Sequence, residues 1–174
     1  GINEAAKSKS NSMLAPRLFP IWNYGAKTNY DQVFLDNPAN VKKVIQEMFS
    51  KGAHVVNVGD LGWNQQLLGT VCKEVTAAGG ITTYHIPPNT TSVTHAVDAA
   101  RLGVTMIEHH YAYAESSLDR TIQDFSPTYN YNDENARFGQ AGKVWTEANN
   151  ERLLTEVADS LVAYGVTMLP TRVV

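Results

Sequence analysis

The sequence predicts an α/β fold of about five parallel strands alternating with helices. Three observations lead there. Glycines punctuate the chain at Lys51-Gly52-Ala53, Ala78-Gly79-Gly80, Leu102-Gly103-Val104 and Tyr164-Gly165-Val166, and a glycine just past a helix end is the usual left-handed cap. Each is followed by a short run rich in β-branched residues, at residues 53–58, 81–85, 104–108 and 166–169. Strands covered by helices read this way. Between the runs, apolar residues recur at helical spacing.

The elements follow in order. Residues 17–22 open the series as a strand. Asn37-Pro38 places a proline in a first helical turn, and Val41, Val44, Ile45, Met48 and Phe49 mark the apolar face of that helix. Residues 63–78 carry Leu67, Leu68, Val71, Cys72 and Val75 on a similar stripe, and residues 91–102 carry Val93, Ala96, Val97 and Ala100. Residues 145–164 read as one helix with Leu153, Leu154, Val157, Leu161 and Val162 inward and Glu147, Glu151 and Glu156 facing water. One stretch breaks the rhythm. Residues 110–143 are polar and aromatic, with a short helix expected near 117–125. A loop this long inside a compact domain is usually a lid, a binding loop or disordered. It leaves the sheet directly after His109, so a lid or insertion loop is expected, with a packed surface excursion as the alternative.

Composition narrows the classes. A chain of 174 residues, 43% hydrophobic and 18% charged, can bury one real core, so residues 1–174 read as a single domain. A net charge of −3 without any Lys/Arg cluster argues against nucleic acid. No apolar stretch approaches the roughly 20 residues that span a bilayer, so no membrane partner is expected. Cys72 is the single cysteine; it reads as a packing residue within a helix and leaves the compartment open. Asn89-Thr90-Thr91 fits a glycosylation acceptor, which matters only on a secreted chain. Gly1 with no signal-peptide pattern after it reads as a chain trimmed from something longer. The absence of a Gly-x-Ser-x-Gly elbow, a phosphate loop or a Gly-x-Gly-x-x-Gly fingerprint weakens the serine-hydrolase, nucleotide-triphosphatase and dinucleotide readings together.

The chemistry points to two histidines. His85 and His109 end consecutive apolar runs, and the C-terminal edge of a parallel sheet is where strand-to-helix loops gather functional groups. Adjacent strands lie about 4.8 Å apart, so two imidazoles there can share one metal ion or one substrate. Neutral imidazole is the commonest protein ligand for zinc and related ions. Two ligands do not make a catalytic centre, which usually takes at least three. His110 should point the opposite way if its strand continues. His54 begins its strand, at the wrong end, and reads as structural; His95 reads as a helical residue facing solvent or packing. Asp60 could reach the edge, although a loop aspartate is more often a turn or cap residue. Glu108 stays open between pairing with a buried donor and catalysis.

Five passages then carry a resemblance. They are Ala15-Pro16-Arg17, Gly52-Ala53-His54-Val55-Val56-Asn57-Val58, the strand end at His85, Ile107-Glu108-His109, and Gly165-Val166-Thr167-Met168-Leu169-Pro170-Thr171. In order and spacing they resemble strands three to seven of the amidohydrolase superfamily of metal-dependent hydrolases, in the branch of imidazolonepropionase-like and Xaa-Pro-dipeptidase-like enzymes. The resemblance implies a partial (β/α)8 TIM barrel, incomplete without missing ends or a partner chain. It implies that His85 and His109 bind a divalent metal, zinc by preference, with His110, Asn57 and Tyr111 at the substrate. The implied reaction is attack of metal-activated water on an amide, cyclic amide or ester bond of a small-molecule substrate.

Departures from the pattern matter equally. No His-x-His triplet occurs, and the strand-eight aspartate of the family would lie beyond Val174. Asn57 stands where the branch often has a carbamylated lysine, so a lysine-bridged pair of metals is not expected. A complete barrel needs roughly 250 residues; length alone favours an open five-stranded sheet. The chain by itself is expected to be inactive and to hold a catalytic metal weakly, and further chain segments or a homo-oligomer would complete the barrel. Two other readings stand beside this one. The first is a non-catalytic binding module that has lost its metal. The second is a flavodoxin-like domain, which a non-sequential strand order would favour.

Overall fold

The glycine punctuation becomes one repeated hydrogen-bonding device. In the structure, a computed structural model that describes residues 2–91, 93–119, 129–130 and 132–170, the backbone turns left-handed at Gly52 and Gly103, with φ +98° and +96°. Such angles place a Cβ against the backbone, so glycine fits there. The next residue then donates its N–H to the carbonyl five residues back: Ala53 to Met48 at 3.1 Å, Gly80 to Val75 at 3.0 Å, Val104 to Ala99 at 3.0 Å and Val166 to Leu161 at 3.0 Å. The same closure ends the four helices that lead directly into later strands and aims each of those strands into one sheet.

That sheet has five strands: β1 (Ile21–Asn23), β2 (Val55–Asn57), β3 (Ile81–Tyr84), β4 (Met106–Glu108) and β5 (Thr167–Leu169). Every pair is parallel and the order is sequential, β1-β2-β3-β4-β5. A doubly wound sheet reverses its order at a switch point, and this one does not. Right-handed crossovers that never reverse carry all helices to one side. The result is an open arc of a barrel.

The helices are α1 (Ile2–Lys9), α2 (Gln32–Leu35), α3 (Val41–Ser50), α4 (Gln65–Ala77), α5 (Ala96–Arg101), α6 (Glu134–Glu147) and α7 (Glu151–Ala163). Polar caps set several starts: the side chains of Asp31, Asn64, Asp133 and Asn150 accept N–H bonds from Phe34, Leu67, Ala136 and Leu153. Val41, Val44, Ile45 and Met48 of α3 pack with Leu67, Leu68, Val71 and Val75 of α4 against Val56, Val58, Tyr84, Ile86 and Ile107 of the sheet. All are almost fully buried, and burying each such aliphatic side chain stabilises the fold by roughly 1.5–3 kcal/mol. Among the described residues, no helix is long and apolar enough to cross a membrane.

Successive strand residues alternate between faces, and the pairing register aligns Asn23, Asn57, Thr83, Met106 and Thr167 across the sheet. Theirs is the face turned away from the helices. The outer strands are open: Ile21 is 57% exposed, Met168 46% and Leu169 37%.

Several elements differ from the sequence expectation. The strands are shorter than their apolar runs, and β1 begins at Ile21 instead of residue 17. Residues 145–164 do not form one helix: Ala148 ends α6 and Asn150 caps α7. α5 begins only at Ala96, and His95 is its N-cap residue, whose backbone N–H is held by Asp98 Oδ2 at 3.1 Å. Buried at the cap, His95 is neither a mid-helix nor a solvent-facing residue. Within residues 110–143, a 3-10 turn covers Glu115–Ser117 and α6 fills the later part; the helix expected near 117–125 lies largely outside the described residues.

Two buried groups give tests of the packing. A Cβ on Gly62 would stand 1.9 Å from the hydroxyl of Tyr84, a ring with no room to yield. Gly62→Ala should destabilise the fold by about 1–3 kcal/mol in urea unfolding, and Tyr84→Phe in that background should recover part of the loss. Glu115 is buried, and burial holds its carboxyl above the usual range against backbone N–H bonds that pull the other way. A raised folded-state pKa favours the fold most below the unfolded value, and this contribution is lost as pH rises through the folded value. Glu115→Gln should therefore raise the melting temperature more at pH 7 than at pH 4; an equal shift at both would contradict the burial account.

Candidate metal centre

Register and alternation place two polar groups on the open face at its C-terminal edge, and a backbone turn adds a third. His85 follows β3 two residues after Thr83, and Glu108 ends β4 two residues after Met106, which pairs with Thr83. His109 comes next and by simple alternation would turn toward the helices. Instead its φ is +63°, while its N–H still continues the ladder to Leu169 O at 2.9 Å. The left-handed turn costs a non-glycine residue roughly 1–2 kcal/mol, and such strain gathers at functional sites.

The turn brings the groups together. The His85 and His109 rings lie with centroids 4.7 Å apart and planes 81° to one another. Thr83 Oγ1 donates to Glu108 Oε1 at 2.5 Å, and the other carboxylate oxygen stands 3.8 Å from His109 Nε2. Ring nitrogens and carboxylate of His85, Glu108 and His109 all fall within 4.8 Å of one another, each side chain half-buried. These three residues could hold a metal ion. Donors on one tetrahedral ion sit about 3.4 Å apart at bond lengths near 2.1 Å, so small side-chain rotations close the set. Burial, and next the neighbouring His109, pushes the His85 imidazole below its ordinary pKa, with Glu108 opposing. This favours the neutral ring that metal ligation requires.

The other candidate residues fall around this group. Tyr111 is buried, its ring 6.0 Å from that of His85 and 6.2 Å from that of His109. His110 packs on Tyr111 at 4.6 Å and lies parallel to Phe138 of α6 at 6.3 Å; burial and His109 lower its pKa as well. Asn57 lines a cavity of about 340 Å³ with Asn23, Asp60, His85 and Glu108. Its Oδ1 accepts the Gly59 N–H at 2.8 Å, so Asn57 makes the local turn. Asp60 sits in the 3-10 turn Gly59–Leu61 and caps nothing. His54 lies at the opposite end of the sheet, its ring near Gly52 O and edge-on to Phe19. A larger apolar cavity of about 700 Å³ opens there, between α1 and Phe19, remote from the histidines.

Thr83 and Asn23 were missed in the sequence. The signal for Thr83 was its spacing, two residues before His85 and therefore on the same face.

Because His109 occupies the left-handed region, two truncations should separate backbone from side chain. His109→Gly should be more stable than His109→Ala by about 1 kcal/mol in urea unfolding, both having lost the imidazole. Equal stabilities would mean that the turn is not strained.

No family model matches the chain, and no curated protein matches it. Among solved structures, an uncharacterized protein aligns at 18% identity with a TM-score of 0.48, covering 99% of this chain and 51% of that one. A Xaa-Pro dipeptidase with methionine bound in its active site aligns at 15% identity with a TM-score of 0.46, covering 96% and 50%. The chain spans about half the length of these structures.

Proposed function

We propose that this chain is the metal-bearing part of an amidohydrolase-like, metal-dependent hydrolase, which splits an amide, cyclic amide or ester bond of a small molecule. The observation that carries the reading is the convergence of His85, Glu108 and His109 at the C-terminal edge of a sequentially ordered parallel sheet. Two imidazole nitrogens and one carboxylate oxygen are a donor set that zinc takes in catalytic sites with a coordination position left open. A bound divalent ion supplies Lewis acidity, which polarises a carbonyl and makes water a nucleophile near neutral pH. His85, its pKa lowered by burial, presents a neutral ring to it, and His109 adds the second imidazole. Thr83 holds one oxygen of Glu108 and so aims the other. Tyr111 packs beside both imidazoles and restricts their rotation.

A single ion suits the site better than a pair, because Asn57 carries no charge and its oxygen is already engaged by Gly59. α6 acts in this reading as a cover, since its Phe138 stacks over His110. Further chain segments or a second copy would complete the barrel along the open flanks at Ile21 and Met168.

Cobalt and zinc titrations test the centre without requiring turnover. Cobalt should give the visible bands of a low-coordinate site, and zinc should displace it. His85→Ala and His109→Ala should abolish binding. Thr83→Val, which removes only the orienting hydroxyl, should weaken it about tenfold with an unchanged far-UV circular dichroism spectrum. Full affinity in both histidine variants would end the metal reading.

A further inference from the structure

We infer that the cavity beside the centre selects substrates bearing a protonated amine or guanidinium, with Asp60 as counter-charge and the amides of Asn23 and Asn57 holding the adjoining polar group. The inference rests on the hydrolase reading above and names a substrate class for it.

The cavity extends from His85 and Glu108 across the ends of β3 and β2 to β1. Its described lining holds two carboxylates, Glu108 and Asp60, and no lysine or arginine. The two carboxylates are not equivalent. Glu108 is engaged by Thr83 and faces His109. Asp60 makes no hydrogen bond or ion pair among the described residues, and it supports no helix end. It follows β2, the strand beside β3, and lies exposed at the rim of the lining, where a cationic group would find a partner.

The two asparagines give the cavity direction. Asn23 and Asn57 are register partners on adjacent parallel strands, hence about 4.8 Å apart on the same face. Gly59 fixes the amide of Asn57 through its oxygen, so its two N–H groups are left to donate to an acceptor in the cavity. A second small cavity shares Asn57 and Asp60 on the side of Tyr24 and Leu35, so this pair stands at the junction of the two spaces. A ligand matching these groups offers a carbonyl toward Asn57 and a cation toward Asp60, with the scissile bond left at the histidines. The guanidinium whose charge reaches His85, Arg137 of α6, is not part of this lining.

The test uses the full chain loaded with zinc and three probes of similar size: Nα-acetyl-lysinamide, Nα-acetyl-norleucinamide and the α-amide of Nα-acetyl-glutamate. Binding is read from the side-chain amide signals of labelled asparagine. Lysinamide should bind about fivefold more tightly than norleucinamide, the most that one exposed ion pair provides, with the glutamate amide weakest. Asp60→Asn should erase the difference between the first two, and Asp60→Lys should reverse the order of the charged probes. Melting temperature checks that each variant folds. Equal binding of lysinamide and norleucinamide, or a preference that survives in Asp60→Asn, overturns the inference. The zinc titration is scored separately. Zinc binding without a cation preference removes the cavity proposal alone, whereas a preference without zinc binding removes the hydrolase reading and leaves the cavity.

Discussion

Parallel pairing places His85 and Glu108 on one face of adjacent strands, but the same pairing would send His109 to the other face, into the helices. The left-handed turn at His109 resolves this conflict: its N–H stays in the ladder while its ring swings back toward Glu108. Everything proposed about the site depends on that one residue. An alternating strand end would leave two donors facing the cavity, too few for a catalytic ion. With the turn there are three, supplied within two short segments that the sheet already holds rigid.

The sheet in turn depends on its glycine-closed helices. Because α3, α4, α5 and α7 end with the same bond from the residue after glycine, β2 to β5 enter at the same level, and five short strands suffice to align the polar row from Asn23 to Thr167. The helix side of the sheet supplies the stability, with Val56, Tyr84 and Ile107 sealed against α3 and α4. The other side bears Asn57, Thr83 and Glu108, residues that make poor core but a serviceable cavity wall. At the flanks of that face Ile21 and Leu169 remain exposed and available for pairing.

What the sequence showed, and what it did not, follows from the range of each interaction. Gly52, Gly79, Gly103 and Gly165 act through their own backbone, so the helix ends and the order of the strands after them were legible. So were the two histidines, since each simply ends a run. The break between α6 and α7 was not, because Ala148 and the apolar residues around it fit a continuous helical stripe and only the cap at Asn150 interrupts it. The place of His95 at the helix start was missed for a similar reason, although packing was one of its two expected roles: histidine is a rare cap, and its position comes from Asp98 holding its backbone. The spacing of Thr83 from His85 gave its face, but its partner Glu108, like the partner of Asn23, lies on a neighbouring strand, and strand register cannot be seen in a linear chain.

Glu108 shows why a choice between a structural and a chemical role can be a false one. The sequence left it open between a buried pairing and chemistry, as if one excluded the other. A carboxylate has two oxygens, and here they are divided: Oε1 takes the Thr83 hydroxyl, and Oε2 faces the imidazole of His109. The structural bond removes the rotational freedom that would otherwise have to be frozen when a cation binds, so the pairing is what prepares the second oxygen. The same division holds at Asn57, whose oxygen closes a backbone turn while its amide hydrogens face the cavity. In both cases the chain spends one polar atom on local order and thereby fixes the direction of the other, which is how an open sheet edge with few residues can present a defined set of donors and acceptors.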